Sequence, residues 1–354
     1  MLEALLGDNH VLPTTGRADT RRHRWESQRL HTEHSGNESH VVVFFRRVVR
    51  EQVASPPYVV HVGLLVRPKL HVLSACLLQR NRMFTSVAFG GGGVRGGLHI
   101  GALAALEKYR GNLDFPAGVY GCSIGAIIAT AVAFGLRSTH LREIFDNQFN
   151  DISNILPSLR LAHVGDLTNK KGLFSMDMLE TAVVSAFDAH GVDLRNKVIS
   201  DAPQKLHILA ANMTTQTTTI FTGRVPILDA IKSSCCLPFV FHPQVIYNHV
   251  YLDGGLFVDN LASIVPEDCL VFHISPTSDK IYASELETMP LSKFLYSIYR
   301  SMRTSRPMPN MVWLENDTVG LLQKLTPEDR QLLYDQGYEG TSRFLSKRLL
   351  QKGQ

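Results

Sequence analysis

The sequence has few cysteines and no long apolar run, and each shortage excludes a class of protein. Its five cysteines are odd in number and lack the spacing of a metal site, and the neighbours Cys235 and Cys236 are poorly placed to form a disulfide with each other. No apolar window approaches the roughly 18 residues that span a bilayer, and no secretory signal opens the chain. We therefore expect a reduced cytoplasmic protein that is not secreted and that meets membranes only peripherally.

Charge is scarce as well, and it is unevenly distributed. The formal net charge is +4, but residues 1–82 alone hold 12 Lys and Arg against 7 Asp and Glu, so the rest of the chain is close to neutral. A nucleic-acid-binding domain needs a basic face, and the near-neutral part offers none. We expect no nucleic-acid partner.

Composition divides the chain into three parts. Residues 8–40 show no helical or strand period, and residues 1–82 are rich in Arg and His, which predicts a basic and largely disordered N-terminal extension. A regular α/β pattern begins at Met83, so we expect residues 83–270 to form the main domain. Residues 271–354 should supply a final strand and C-terminal helices that pack on or follow it. We also consider the hypothesis that Met83 is the natural start of the protein. If it is, residues 83–354 expressed alone should be soluble and active.

Strands and helices alternate through the main domain. This alternation is typical of a three-layer α/β/α fold with a mainly parallel sheet. Strands are predicted at residues 84–89, 118–120, 205–211, 217–222, 245–252 and 269–275. Helices are predicted at residues 98–111, 124–135, 141–149, 176–189, 227–236 and 291–302, with another that starts after Thr326.

A run of glycines joins the first strand to the first helix. Residues 91–96 fit the Gly-x-Gly-x-x-Gly pattern of a dinucleotide site, but that site also needs an acidic residue at the end of the second strand, where Gly121-Cys122-Ser123 stands instead. No Gly-Lys-Ser/Thr follows, which excludes a Walker phosphate loop. Consecutive glycines at a helix start leave backbone N–H groups unobstructed, so the run is suited to stabilise an oxyanion that forms near it.

Ser123 lies in Gly121-Cys122-Ser123-Ile124-Gly125, between a short apolar strand and an apolar helix. A serine on a sharp strand-to-helix turn exposes its hydroxyl, because the flanking glycines allow the tight backbone. The following helix directs its free N–H groups at the same place. Serine is also an ordinary helix N-cap, so the pentapeptide alone fits a nucleophile and a structural cap equally well.

A serine nucleophile needs a base, and two residues are candidates. Asp253 of Asp253-Gly254-Gly255 follows a predicted strand, and α/β sheets place their sites at the carboxyl ends of strands. Asp-Gly is, however, also a common hairpin turn. His273 would complete the Ser–Asp–His order of α/β-hydrolases, although a lone histidine in an apolar strand is more often packed in the core. The residues alone leave both candidates open.

The glycine run, Gly-x-Ser-x-Gly and Asp-Gly-Gly in this order resemble the patatin-like phospholipase family over residues 84–270. The run from Ser233 to Pro243 is similar to the segment that precedes the Asp motif in that family. The chain differs from the family in an extra leading glycine, Gly90, and in Ala262, which follows Asn260-Leu261 where the family usually has a proline.

The resemblance implies a role for each motif residue. It makes Ser123 the nucleophile and Asp253 the general base of a dyad that works without histidine, which returns His273 to the core. Gly91, Gly92 and Gly93 would form the oxyanion hole. Arg95 would support the loop or a phosphate headgroup. The residues with a supporting role in the motifs would be Gly96, Gly121, Gly125, Gly254 and Gly255.

The implied activity is that of a lipid acyl hydrolase of the phospholipase A or lysophospholipase type. It would cleave a lipid ester through an acyl-serine intermediate, at a transient membrane or lipid surface, with no cofactor and no metal. One alternative is an α/β-hydrolase esterase with a Ser123–Asp253–His273 triad. Another is a catalytically silent lipid-binding or storage protein of the same fold. Residues 237–241 fit three interpretations: they could line an acyl channel, contact lipid or simply pack in the core. The basic C-terminal helix near Leu349 and Leu350 fits either contact with an anionic membrane or a solvated surface.

Overall fold

The computed structural model describes residues 84–149, 154–158, 160–258, 260–276, 281–289, 294, 297–298 and 307–352. The predicted N-terminal extension, the Met83 start and most of the helix predicted at 291–302 lie outside these residues.

The described residues form ten strands and seven α-helices, numbered here in chain order. The strands are β1 (Ser86–Phe89), β2 (Gly118–Cys122), β3 (Gly172–Phe174), β4 (Leu206–Asn212), β5 (Thr217–Phe221), β6 (Phe239–Phe241), β7 (Gln244–Ile246), β8 (His249–Asp253), β9 (Leu270–Pro276) and β10 (Met311–Asn316). The helices are α1 (Gly97–Arg110), α2 (Ile124–Ala133), α3 (Ser138–Ile144), α4 (Leu161–Asn169), α5 (Asp177–Asp188), α6 (Ile227–Ser234) and α7 (Pro327–Lys352). None of these helices is both long and apolar enough to cross a membrane.

Local signals in the sequence set the ends of two helices. α1 ends where Gly111 adopts a left-handed φ of 81° and donates its N–H to the carbonyl of Glu107. α7 begins at Pro327 behind a capping box, in which Thr326 and Asp329 each accept the backbone N–H of the other with their side chains. Both ends agree with the sequence prediction.

Eight strands form one mixed sheet that is mainly parallel. Its path of hydrogen-bonded neighbours runs β10, β9, β1, β2, β4, β8 and β7, and β5 pairs with β4 outside this path. The pairs from β10 through to β4 are parallel, whereas β5 and β8 run antiparallel to β4 and β7 runs antiparallel to β8. β3 and β6 form a separate parallel pair. The predicted α/β fold with a mainly parallel sheet flanked by helices is confirmed.

Two strands meet end to end along one edge of β4, and this junction places the candidate site. Along β4, β2 pairs with residues 206–209 and β8 pairs with residues 210–212. β5 pairs with residues 208–212 and so overlaps both of these ranges. Since a strand has only two edges, β2 and β8 share the edge opposite β5. There Cys122 of β2 lies opposite Leu209, and Asp253 of β8 lies opposite the next residue, Ala210. The carboxyl ends of β2 and β8 therefore face each other.

Neighbouring residues of each strand point to opposite faces of the sheet. Both faces are covered, so these residues fall into two separate buried clusters. One face packs into the larger core with α1, α2, α6 and α7, and its residues include Val87, Phe89, Val119, Ile208, Leu270 and Phe272. On the opposite face Ala88, Tyr120, Leu209 and Val271 of the sheet pack against the segment after β8. That segment contributes Val258, Leu261 and Val265. In the described residues this second outer layer contains two short 3₁₀ turns, Gly254–Leu256 and Leu261–Ser263.

The single strand predicted at 245–252 is wrong, because the chain folds there into the β7–β8 hairpin. The turn residues Tyr247 and Asn248 have φ values of 49° and 66°, and a tight hairpin turn needs positive φ at both positions. The usual sequence signal for such a turn is Asn-Gly or Asp-Gly, which is missing here. The predicted helix at 141–149 is also shorter than expected, since α3 ends at Ile144 and a π-helical turn, Phe145–Phe149, follows.

The segment expected to pack on or follow the main domain is built into its sheet. β9 begins at Leu270 and pairs with β1, and β10, which the sequence did not predict, pairs with β9. α7 packs closely on α1, where a Cβ on Gly101 would overlap the carbonyl of Tyr334 and a Cβ on Gly337 would overlap that of Leu98. The C-terminal segment is thus needed to complete the core.

Candidate active site

Ser123 occupies a strained turn between β2 and α2. Its φ of 57° and ψ of −131° lie outside the regions that residues with a side chain usually adopt, and its side chain makes no capping hydrogen bond to α2. The structural-cap interpretation therefore does not hold. A strained strand-to-helix turn at the carboxyl end of a central strand is the geometry of a nucleophile elbow.

A second serine, which the sequence did not identify as a site residue, holds this turn in place. The hydroxyl of Ser234 accepts the N–H of Ser123 at 2.9 Å and donates to the carbonyl of Leu209 at 2.6 Å. Ser234 is fully buried at the end of α6. It ties the nucleophile turn to β4 beside the junction of β2 and β8. No sequence signal distinguishes Ser234 from its neighbour Ser233.

Asp253 reaches Ser123 from the end of β8. Its Oδ1 accepts the N–H of Gly255 at 2.8 Å. The carboxylate is buried, and the hydroxyl of Ser123 lies close enough to it to stabilise its charged form. Burial raises the pKa of Asp253 to about 6, and the hydrogen bonds from Ser123 and Gly255 oppose part of that rise. Such a carboxylate is ionised at neutral pH and is a stronger base than an exposed aspartate.

The extra glycine, Gly90, is used by the fold. Its N–H donates to the carbonyl of Phe272 at 3.0 Å, which extends the β1–β9 ladder. Its carbonyl accepts a hydrogen bond from the ring of His99 at 2.8 Å. Burial lowers the pKa of His99 to about 4, so the ring is neutral at physiological pH. Gly90 and His99 therefore fix the start of the glycine loop, and no sequence signal distinguishes His99 from other histidines.

The next two glycines offer free backbone donors beside the nucleophile. No hydrogen bond within the described part of the chain uses the N–H of Gly91 or Gly92. A Cβ on Gly91 would lie 3.3 Å from the Cβ of Ser123, so the loop runs directly against the nucleophile. Gly93 has a φ of 55°, and a Cβ there would overlap the carbonyl of Leu321. The loop can thus place N–H groups near an oxyanion formed at Ser123.

An apolar pocket opens at Ser123. Besides Ser123 and Cys235, its lining consists of Gly93, Val94, Ile124, Ile127, Phe149, Ile155, Leu156, Leu179, Leu237, Phe241 and Leu322. A wall of this composition suits a hydrocarbon chain. Among the described residues no three His, Cys, Asp or Glu side chains are grouped so that they could hold a metal ion.

A comparison with protein-family models decides the family of the chain. The model described as patatin-like phospholipase matches residues 87–265, half of the chain, and this range includes the glycine loop, the Ser123 turn and Asp253. The chain belongs to the patatin-like phospholipase family.

Two curated viral proteins are similar to this patatin-like phospholipase family member. Uncharacterized protein R571 of Acanthamoeba polyphaga mimivirus is 26% identical over 174 residues, which cover 48% of this chain and 57% of the viral protein. Probable lipid hydrolase 463L of Invertebrate iridescent virus 6 is 26% identical over 184 residues, which cover 50% of this chain and 61% of the viral protein. The matches thus span about three fifths of the length of these relatives.

Two solved structures of bacterial proteins show remote similarity to this family member. VipD from Legionella pneumophila has a TM-score of 0.46 and 16% identity, with 75% of this chain and 67% of VipD covered. ExoU from Pseudomonas aeruginosa, in its complex with SpcU, has a TM-score of 0.41 and 17% identity, with 75% of this chain and 52% of the other covered.

Arg95 of this family member is buried behind the glycine loop. Its side chain is only 3% exposed, and its Nε donates to the carbonyl of Gly92 at 3.4 Å. Its placement fits support of the loop. The other role expected from the sequence, contact with a phosphate headgroup, stays a prediction.

The supporting glycines lie where the chain crosses itself closely. A Cβ on Gly125 would overlap the carbonyl of Phe89, so glycine is needed for α2 to start against β1. Gly121 approaches the carbonyl of Gly125 in the same way. A Cβ on Gly96 would overlap the side chain of Ile124, and a Cβ on Gly254 would overlap the carbonyl of Leu209. Gly255 contributes in another way, by donating its N–H to Asp253.

His273 packs on Trp313, with 4.7 Å between the ring centroids, and is 6% exposed. It lies on β9, one residue beyond the point where Phe272 pairs with β1. β1 separates β9 from β2, whereas the contact between Ser123 and Asp253 forms at the end of β2. The site in this family member thus brings Ser123, Asp253 and the glycine loop together, while His273 packs on Trp313.

Replacing Ser234 with alanine should slow catalysis and destabilise the fold. The change leaves the N–H of Ser123 and the carbonyl of Leu209 buried without a partner, which costs about 1–3 kcal/mol of unfolding free energy. We expect kcat for a soluble ester to fall about 10- to 100-fold, because small displacements of a nucleophile are costly. Urea unfolding and steady-state kinetics measure both effects.

Ser233→Ala is the matched control for this prediction. Ser233 is equally buried, and its hydroxyl has no hydrogen-bond partner among the described residues. Its removal should leave kcat within about threefold of wild type. Equal losses in the two variants would mean that Ser234 acts only through packing.

Proposed function

We propose that this chain is a lipid acyl hydrolase that cleaves ester bonds with a Ser123–Asp253 dyad. The observation that carries the proposal is the meeting of a strained serine and a buried aspartate whose pKa burial raises to about 6. Ser123 lines an apolar pocket and lies beside backbone N–H groups that no hydrogen bond of the described residues uses. Membership of the patatin-like phospholipase family and the similarity to a probable lipid hydrolase support the same activity.

In the first step Ser123 becomes acylated. Asp253 takes the proton of the Ser123 hydroxyl as the oxygen attacks the ester carbonyl. The carbonyl oxygen gains negative charge, and the N–H groups of Gly91 and Gly92, with that of Gly93, stabilise it. The carbon–oxygen bond to the leaving alcohol then breaks, and the protonated Asp253 returns its proton to that alcohol. The acyl group remains on Ser123.

In the second step water replaces the alcohol. Asp253, again ionised, takes a proton from a water molecule that attacks the acyl carbonyl, and the same N–H groups hold the second oxyanion. Collapse of this intermediate releases the fatty acid, and Ser123 recovers its proton from Asp253. Because the pocket wall is almost wholly apolar, we assign the acyl chain to it and the leaving alcohol to its mouth.

The competing triad mechanism makes a different prediction for His273. Because Asp253 already lies close enough to the Ser123 hydroxyl to be stabilised by it, the dyad needs no imidazole between them. We expect His273→Ala to keep kcat/KM within about fivefold of wild type once the folded fraction is corrected. His273→Gln repeats the test with a smaller packing change beside Trp313. A loss of about 10³-fold or more in both folded variants would favour the triad.

Release of fatty acid tests the proposed function. The full chain is incubated in ¹⁸O-labelled water with phosphatidylcholine, lysophosphatidylcholine or triacylglycerol. The proposal expects a free fatty acid that carries one ¹⁸O atom, with at least one of the three lipids, and no release by Ser123→Ala. Lipid binding by a well-folded wild type that releases no fatty acid would instead identify a lipid-binding protein. The lipid that reacts fastest gives the type of hydrolase.

A further inference from the structure

The segment from Ser233 to Leu252 joins the pocket to the general base without a single charged residue. It contains no Asp, Glu, Lys or Arg, although Lys232 precedes it and Asp253 follows it. Leu237 and Phe241 of this segment line the pocket. Four of its other apolar or aromatic side chains point to solvent and are called here the apolar rim: Phe239, Val245, Tyr247 and Val250, which are 57%, 67%, 72% and 36% exposed.

The topology places the rim on the catalytic side of the sheet. β8 runs antiparallel to β4 and ends at Asp253, so the hairpin tip at Tyr247 lies beyond the carboxyl ends of β1 and β2, where the site is. The length of β8 puts the tip roughly 15 Å beyond the dyad, at about 3.4 Å per residue. Val245 lies opposite Val250 across the hairpin, so both point to the same face.

The backbone of the rim is strained, and burial does not explain the strain. Phe239 and Tyr247 have φ values of 66° and 49°, which are rare for aromatic residues. Strained residues in a core are usually held by the packing of their side chains, but these two rings are exposed. Strain of this kind clusters at functional sites. The fold therefore presents the two rings outward at a cost in stability.

The charge of the rim identifies the surface that it fits. With no formal charge, the segment has no electrostatic attraction for an anionic partner. Lys170 and Lys171 precede Gly172, which pairs with Phe239, and Lys170 forms an ion pair with Asp166 at 3.2 Å. Lys232, which precedes the segment, forms an ion pair with Glu180 at 2.7 Å. Tyrosine and phenylalanine, with short aliphatic residues, suit the boundary between lipid headgroups and acyl chains.

We infer that the apolar rim inserts into the surface of a zwitterionic phospholipid bilayer and holds the mouth of the pocket against it. The inference rests on the proposed function, because it gives a lipid ester hydrolase direct access to substrate in a bilayer. Phe239 lies two residues from each of the pocket-lining residues Leu237 and Phe241, so the rim and the pocket wall are formed by the same short segment. Residues 237–241 then both line the pocket and contact lipid.

The test uses variants of the full chain that keep the rim backbone. Asparagine tolerates positive φ, so Phe239→Asn and Tyr247→Asn remove the rings without opposing the local conformation. Binding to phosphatidylcholine vesicles is measured by sedimentation, and hydrolysis is measured with p-nitrophenyl butyrate in solution and with vesicle phospholipid. Leu350→Asn is the matched control, because Leu350 is 74% exposed on α7, outside the rim.

We expect the double variant Phe239→Asn/Tyr247→Asn to bind vesicles at least about 10-fold more weakly and to hydrolyse vesicle phospholipid correspondingly more slowly. Its hydrolysis of the soluble ester should stay within about twofold of wild type, and Leu350→Asn should match wild type in all three assays. Vesicle binding by the double variant equal to that of wild type would overturn the inference. So would weaker binding by Leu350→Asn alone, which would assign the contact to the C-terminal helix.

Two further outcomes separate the rim from its alternatives. If the wild type is a dimer, and the rim substitutions make it a monomer without changing vesicle binding, then the occupant of the rim is a second copy of the chain. That result would overturn the lipid assignment. Ser123→Ala should bind vesicles as wild type does. If the wild type binds vesicles through the rim but hydrolyses neither ester, the proposed function fails while the rim stands.

Discussion

Ser123→Ala is expected to abolish ester hydrolysis. The dyad has no second nucleophile, so kcat/KM for a soluble ester should fall by between about 10³- and 10⁶-fold. The pocket and the glycine loop are retained, so binding of a non-hydrolysable lipid ether should change little. Steady-state hydrolysis and equilibrium binding of the ether measure the two quantities.

The fold of this variant should survive. Ser234 holds residue 123 through its backbone N–H, which alanine keeps, and the serine side chain makes no capping bond that would be lost. The unfolding free energy in urea should therefore change by less than about 1 kcal/mol. A folded Ser123→Ala protein with a tenth of the wild-type rate would exclude Ser123 as the nucleophile.

Asp253→Asn should lose activity while gaining stability. Asparagine can still accept the N–H of Gly255 but cannot take the proton of Ser123, so we expect kcat/KM to fall about 10²- to 10⁴-fold. In the wild type, kcat/KM should rise as pH increases through about 6, because Asp253 must be ionised to act as a base. A pH–rate profile of both proteins tests this.

The gain in stability depends on pH, and its sign follows from the raised pKa. Burial raises the pKa of Asp253 from 3.8 to about 6, so the fold favours the neutral carboxyl and that contribution is lost as pH rises through about 6. Asparagine has no charge to bury. The variant should be up to about 3 kcal/mol more stable than wild type near pH 8, and the difference should disappear below about pH 4. A variant less stable than wild type near pH 8 would contradict the raised pKa.

The sequence predicted the parts of the site that depend on neighbouring residues. The glycines around Ser123 and the strand and helix beside them are close in the chain, so the turn follows from local steric rules. The same holds for the loop at Gly91 and for the end of α1 at Gly111. These features are confirmed in the fold because little outside each segment is needed to form them.

Contacts between distant segments could not be predicted in this way. Ser234 is separated from Ser123 by 111 positions and was one of two adjacent buried serines. The raised pKa of Asp253 depends on burial at the junction of β2 and β8. That junction exists because both strands share one edge of β4, and strand patterns do not specify which edge a strand will use.

The hairpin at Tyr247 shows a different limit. The apolar character of β7 continues through Tyr247 into β8, so only Asn248 interrupts a pattern that otherwise predicts one strand. The two residues adopt positive φ without the glycine that normally signals such a turn. We connect this departure from the local rule with the exposed rim that it creates, since conflicts of this kind are expected at functional sites.

The most direct test of the Ser123–Asp253 dyad is mass spectrometry of the full chain after treatment with a fluorophosphonate probe. We predict a single adduct on the peptide that contains Ser123, none in Ser123→Ala, and slower formation near pH 5 than near pH 8 because Asp253 is then protonated. An adduct that persists in Ser123→Ala, or no adduct in a folded wild type, would contradict the dyad.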